Sequence, residues 1–483
     1  MNHKAAAAWA AAMLAVAGPG LAQTPPAGDP AAGAAVIGQS CATCHGPTGR
    51  GATGPSIVGN TWRHGETDAE LAASIRHGYP GLGMPAWDGT LSDRQIADVI
   101  AFIRKNPMLG QAAGAAAIPA DPLPTGVVRT AVESYRLERV AKVEQPYGLA
   151  FLPDGRLLVT EIAGRLRIVE HGRLLPQPVI GTPSGATPQD ASRRRLMDVG
   201  VPPDYGRTGW IYLTWGDQAP GVSGAKGVRL VLSRGRLRAG RWVDNQELFR
   251  APSDYSSAGR IAFDGDGHVF LSVQDPEFLE NPIEAPAPAQ DLANPKGKIL
   301  RFNADGSAPA DNPFPKGAGA ARFVWSLGHR TQMGLAFDRR GRLWEVENGP
   351  RGGDELNLIQ RGRNYGWPTI TWGHRSDDKA VSAPSDESGT EQPVVNWSPS
   401  PALSGLAIYQ GRGFPHWRGD LFISSMKNRS LMRVVLDGRD RPVLQEIVLN
   451  NVARMRDVEA GPDGALYLIT EDNDLLRLRP AGK

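Results

Sequence analysis

A short unit recurs six times between residues 135 and 480: an apolar run, a turn built on Asp-Gly or a similar pair, and a second apolar run. It stands at Gly148–Val159, around Val199–Leu213, and at Ile261–Phe270, Gly334–Trp344, Gly405–Phe422 and Ala460–Tyr467. The copies average roughly 58 residues apart, and hairpins at such a period mark a β-propeller with four strands to the blade. Six blades is the direct count; seven stays open if one copy has decayed. The 58 Gly and 40 Pro among 483 residues fit so many turns, and without a triplet period they exclude collagen. An apolar content of 41% excludes a wholly disordered chain. The binding site of such a ring is expected over the central channel, among the loops between blades.

Ahead of the repeats lie the only two cysteines, in Cys41-Ala42-Thr43-Cys44-His45. This is the C-x-x-C-H pattern of covalent haem c attachment: each thiol adds to a haem vinyl group, and the spacing puts both sulfurs on one side of a helical turn. His45 then serves as one axial iron ligand. A redox-active or structural disulfide is the rival reading. Met84, in Gly81-Leu82-Gly83-Met84-Pro85, offers a thioether as the second ligand, and a Met/His pair raises the potential as electron transfer requires. His64 and His77 are rival ligands, but their polar surroundings suit the surface. A helix is expected to open at Ser92-Asp93 and to run through Ile96, Val99, Ile100 and Ile103. Residues 28–108 resemble a small, all-α class I cytochrome c.

The N-terminus reads as a secretory signal peptide over residues 1–22. Lys4 precedes an apolar run from Ala5 to Ala17, then Gly18-Pro19-Gly20 and small residues before Gln23. An uncleaved anchor is the alternative, though the run is short for a membrane span. A periplasmic protein without stable membrane insertion is expected. Residues 109–134 read as an Ala/Pro-rich linker between the cytochrome and a propeller over 135–480. A formal net charge of +3 and the absence of a long Lys/Arg run argue against a nucleic-acid partner.

Within the propeller, Glu347-Asn348-Gly349-Pro350-Arg351-Gly352-Gly353-Asp354-Glu355-Leu356-Asn357 is followed by Asn364-Tyr365-Gly366-Trp367-Pro368. Gly328-His329-Arg330 and Gly297-Lys298-Ile299-Leu300-Arg301 accompany them. Together these resemble the soluble six-bladed quinoprotein aldose (glucose/sorbosone-type) dehydrogenases, which use pyrroloquinoline quinone (PQQ) and calcium. PQQ carries three carboxylates, so fixed cations suit it. The resemblance implies cofactor contacts from Lys427, Arg454, Arg456, Arg330 and Ser400. In an extended segment the i, i+2 spacing of Arg454 and Arg456 points both the same way. It further implies that the carbonyls of Gly349 and Pro350 hold a catalytic calcium, and that Glu355 with the Tyr365 backbone holds a structural one. Arg193 stands where the family has a cofactor-contacting Gln, and Thr331 where it has an Asn.

One departure bears on chemistry. Ser256 stands where the family's catalytic His is expected, while its Asp partner survives as Asp275. Serine is no base at neutral pH without help, so Asp275 is the first substitute, and a structural Asp275 is the rival reading. His329 and His374 are weaker substitutes; His268, in a D-G turn, is expected to be exposed. The sequence thus points to an exported dehydrogenase that oxidises a sugar or alcohol with PQQ and calcium. Its electrons would pass to the covalent haem c, then to a soluble cytochrome or the respiratory chain. A catalytically altered propeller serving as a binding or electron-transfer module, and a haem-linked oxidoreductase without quinone, are the alternatives.

Overall fold

The computed structural model describes residues 28–45, 57, 67–78, 84, 86–105, 120–183, 196–218, 228–252, 259–275, 287–350, 352–373, 389–398 and 400–482. The N-terminal signal segment, Arg193, Ser256, His64 and His374 lie outside these residues.

Six antiparallel sheets build the propeller, five with four strands and one with five. Their first strands are Pro146–Phe151, Leu196–Gly200, Ile261–Phe263, Gln332–Phe337, Leu403–Ile408 and Met455–Ala460. Each repeat found in the sequence is the hairpin between a blade's first two strands. The glycines of these turns explain the Asp-Gly preference: Gly155, Gly267 and Gly464 have φ of 89°, 87° and 81°, where a Cβ is strained. The ring closes by joining the two ends of the repeat region. Ser134–Lys142 pairs with Asp474–Pro480, so the last blade mixes N- and C-terminal strands.

Apolar clusters fill the wedges between blades, one of them with Tyr135, Tyr409, Phe414, Trp417 and Phe422 at its heart. Buried hydroxyls stitch neighbours together: Thr160 donates to the Met197 carbonyl, and Thr214 to Gly259 at 2.7 Å.

At the hub, one side chain reaches most of the ring. The Arg260 guanidinium donates to Asp457 at 2.7 Å, to Asp198 at 3.4 Å, and to the carbonyls of Ser404 and Arg456. It also lies 5.4 Å from the centre of the Tyr147 ring. Those partners belong to the first, second, fifth and sixth blades, and Arg260 itself to the third. Burial works against charge on Arg260, but Asp457 and Asp198 outweigh it and hold the guanidinium protonated.

The N-terminal region is helical, with helices Pro30–Val36, Ala42–His45, Asp68–His77 and Asp93–Lys105 among the described residues. The last begins where the sequence places it. Ser92 Oγ accepts from the Gln95 amide at 3.3 Å, while Gln95 Oε1 accepts from the Ser92 amide at 2.9 Å, a reciprocal cap. Its apolar stripe, Ile96, Val99, Ile100 and Ile103, packs on Val36, Ile37 and Leu71, with Cys41 and Trp87 at the edge. The first helix crosses the last so closely that a Cβ on Gly33 would lie 2.0 Å from the Asp98 carbonyl oxygen. Gly33→Ala is therefore expected to destabilise this domain by about 1–3 kcal/mol through overpacking. A lower midpoint for loss of the helical circular dichroism signal on heating, with propeller unfolding unmoved, checks it.

Candidate cofactor site at one end of the propeller

Every strand that leaves the D-G turns runs to the same end of the ring, and there the sequence-predicted residues gather. Asp275, Gly349, Pro350 and Lys427 follow second strands; Arg330, Ser400 and Arg454 lie in connections that lead into first strands, with Arg456 just inside one.

Arg454 and Arg456 share one side of their strand, and both donate to Glu471, a residue the sequence reading missed. The Arg456 guanidinium lies 5.4 Å from the centre of the Tyr147 ring, as does that of Arg260. Arg330 donates to the Asn348 carbonyl at 2.9 Å and sits 5.2 Å from the centre of the Trp367 ring. Burial lowers its pKa, against the pull of Asp354, Glu347 and Asp275. The Nε atoms of Arg330 and Arg456 are buried without hydrogen-bond partners among the described residues. Planar, partly unsatisfied cations of this kind fit a multiply anionic cofactor. Lys427 is exposed. Ser400 is buried and turned inward: its hydroxyl donates to Asp354 at 2.9 Å and accepts from the Ala402 amide at 3.0 Å.

Asp354 also fixes the Gly349 amide at 3.2 Å. A Cβ on Gly349 would fall 2.2 Å from the Gly352 carbonyl oxygen, so only glycine fits where this turn folds back on itself. Burial pushes the Asp354 carboxyl up to about 7.

Beside this turn is a cluster that the sequence reading saw only in part. Asn357 donates to Glu345, Glu347 and Glu355 at 3.1, 3.4 and 3.1 Å. His329 Nδ1 lies 3.6 Å from Glu347, and the His329 ring stacks on Tyr365 at 4.6 Å. Glu345, Glu347, Glu355 and His329 are all buried. Burial and mutual repulsion push Glu345 and Glu355 well above the carboxylate range. Oε1 of Glu345, Oδ1 of Asn357 and Nδ1 of His329 have no hydrogen-bond partner among the described residues. Such a donor set fits a hard divalent cation. His329 is no open base, since it is fully buried with Nε2 2.8 Å from the Ser326 hydroxyl and Nδ1 turned toward Glu347. Carboxyls raised in this way stabilise the fold while protonated, and that contribution fades as pH rises through their folded pKa. Calcium is therefore expected to raise the unfolding temperature more at pH 8 than at pH 5, by several degrees. Calorimetry of the metal-stripped protein with and without calcium measures this; an equal shift at both pH values contradicts it.

Asp275 is buried, and its carboxylate accepts from the Ala289 amide at 3.1 Å while its own amide donates to the Arg330 carbonyl at 2.7 Å. Behind it is Lys298, fully buried, whose Nζ donates to the carbonyls of Pro288, Ala289 and Lys296 at 2.8, 2.9 and 2.8 Å. Burial pushes Lys298 down to about 7, with Asp275 and Asp291 acting the other way.

His268 does not lie open as expected. It is partly buried, with Nδ1 2.8 Å from Asp264 and the Arg301 guanidinium beside the ring, at the opposite end of the propeller. Arg301 reaches it because its strand pairs with His268's own hairpin. In the haem region, His45 is buried, Met84 is partly buried and His77 is exposed, as a surface position predicts. The Cys44 side chain lies outside the described set.

The family model for glucose/sorbosone dehydrogenases matches residues 143–477, and that for the cbb3-type cytochrome c oxidase subunit III matches residues 28–103. The aldose sugar dehydrogenase of Escherichia coli is 35% identical over 349 residues, which cover 70% of this chain and 91% of that protein. A crystal structure of the soluble E. coli aldose sugar dehydrogenase in its apo-form superimposes with a TM-score of 0.64 at 33% identity. It covers 72% of this chain and 99% of the other. The PQQ-bound aldose sugar dehydrogenase of Streptomyces coelicolor gives 0.55 at 25% identity, over 74% and 99% of the two chains.

Proposed function

Because the chain belongs to the glucose/sorbosone dehydrogenase family and carries a cytochrome c domain ahead of its propeller, we propose that it is an exported, periplasmic quinohaemoprotein that oxidises an aldose sugar or alcohol. The gathering of Arg330, Lys427, Arg454 and Arg456 at one end of the ring carries this reading, since a tricarboxylate cofactor needs fixed cations there. Bound there, PQQ would supply a two-electron acceptor for hydride from the substrate carbon, with calcium polarising its carbonyl.

The protein's own residues divide the remaining work. Arg330, Arg454, Arg456 and Lys427 bind the anionic cofactor, and Glu471 holds the Arg454–Arg456 pair in register. The Gly349–Pro350 turn, fixed by Asp354, offers carbonyl oxygens to the catalytic calcium. Glu345, Glu347, Glu355 and the Tyr365 backbone surround the structural one. Asp275 takes the proton of the substrate hydroxyl, in place of the histidine that Ser256 replaces. Its charge interacts with the nearby Lys298 and Arg330. Cys41 and Cys44 would hold the haem covalently and His45 and Met84 would ligate its iron, which would supply one-electron chemistry. Arg193 and Ser400 complete the cofactor contacts, with Ser400 acting through Asp354.

The test adds PQQ and calcium to the apoprotein, then screens aldoses, alcohols and aldehydes while following haem reduction. Haem reduction that needs substrate, PQQ and calcium together is the expected result. PQQ binding without substrate-driven reduction would favour the alternative motivated by Ser256, a propeller that has kept its cofactor but lost turnover. No PQQ binding sinks the quinoprotein reading.

A further inference from the structure

The course of the chain between its two domains says where electrons leave the propeller. Residues 120–126 lead into the first propeller strand, Val127–Arg129. The Asp121 amide donates to the Asn451 carbonyl at 2.7 Å, and Leu123 packs on the cluster of Tyr135, Val448, Leu449 and Val452. Asn451 sits in the connection that leads, three residues on, to Arg454 and then Arg456. The tether is thus moored at the cofactor end of the ring, on the loop that presents two of the cofactor-binding cations.

Only residues 106–119 separate this mooring from the end of the last cytochrome helix at Lys105. Fully extended they span at most about 50 Å, and as a flexible coil their root-mean-square reach is roughly 20 Å. A tether this short, fixed at this end, gives the cytochrome domain a high effective concentration over the channel mouth.

We propose that the cofactor end of the propeller is the docking surface for this chain's own cytochrome c domain, and that the mooring at Asn451 makes electron transfer intramolecular. This rests on the quinohaemoprotein reading. Oxidation of one substrate C–H and O–H pair yields two electrons and two protons. The electrons leave one at a time, each reducing one ferric haem to ferrous, and the protons pass to solvent. The haem therefore turns over twice per substrate, reoxidised each time by an external one-electron acceptor.

Two measurements on the full-length protein test it. In stopped flow with PQQ, calcium and a substrate sugar, the rate constant of haem reduction should not change over a hundredfold range of protein concentration. Inserting 42 Gly/Ser residues after Gly110 lengthens the free tether fourfold and should slow that rate about eightfold, from the three-halves power of length. Turnover with a small diffusible dye should be unchanged by the insertion. A rate proportional to protein concentration, or indifference to the insertion, overturns the proposal. Separately, an amine-reactive cross-linker applied without cofactor should join Lys105 to Lys142 or Lys427, exposed at the cofactor end. Linkage predominantly to Lys316, exposed at the opposite end, overturns it. If no PQQ-dependent dye turnover exists, the quinoprotein reading has failed, and the cross-links alone decide the docking.

Discussion

Arg260→Ala is expected to destabilise the propeller by about 3–5 kcal/mol, the cost of removing one partner from a buried ion network. Without the guanidinium, Asp198 and Asp457 face each other in a desolvated channel with no cation between them. The substitution also breaks hydrogen bonds to the Ser404 and Arg456 carbonyls, so four other blades lose a common anchor. Denaturant titration of the propeller measures the loss. It should be smaller in acid, where both carboxyls are protonated, and larger at neutral pH. Burial already pushes Asp457 up to about 6 even beside Arg260. This raised carboxyl stabilises the fold when protonated, and that contribution is lost as pH rises from about 4 to 6. A triple variant, Arg260→Met with Asp198→Asn and Asp457→Asn, should recover much of the stability, because no unpaired charge remains. An Arg260→Ala protein as stable as the parent would show that the ring does not depend on its hub.

Asp275→Asn is expected to slow substrate-driven haem reduction by about 10²–10⁴-fold, the usual contribution of a positioned general base. The amide keeps the shape and can still accept from Ala289, so the fold and PQQ affinity should stay within about twofold. That contrast separates proton removal from cofactor binding: cation variants such as Arg456→Ala should instead weaken PQQ binding. If the variant keeps the rate, another group takes the proton, and Ser256→His becomes the informative next variant.

The parts of this molecule written in local sequence were the legible ones. The six hairpins stood out because two apolar runs flank a turn in each, an Asp-Gly turn in three of them. The Cys41–His45 spacing and the reciprocal cap at Ser92 are equally local. What escaped the sequence were partnerships made by closing the ring. Arg260 and Asp457 are 197 positions apart yet 2.7 Å from each other. Glu471 clasps Arg454 and Arg456 across a strand pair, and Asp354 reaches Ser400 over 46 positions. Glu355 was singled out on resemblance, but Glu345 and Glu347 were not, because only the pairing of their strand with the next sets both beside Glu355. His268 misled for the same reason: a turn residue looks exposed until a long side chain from the adjoining strand lies over it.

Lys298 gives the two sides of the cofactor end different dependencies on their surroundings. The three carbonyls around its ammonium form the kind of oxygen cage that proteins elsewhere fill with an ion from solution. Here the charge is covalently attached and cannot be drawn off by a chelator. Stripping calcium would disarm the Gly349–Pro350 turn and leave the Asp275 side standing. Alkali would act the other way round, because Lys298, pushed down to about 7, gives up its proton while the carbonyls at Gly349 and Pro350 have none to lose. On the proposed reading, one half of the site therefore answers to the supply of metal, and the other to pH.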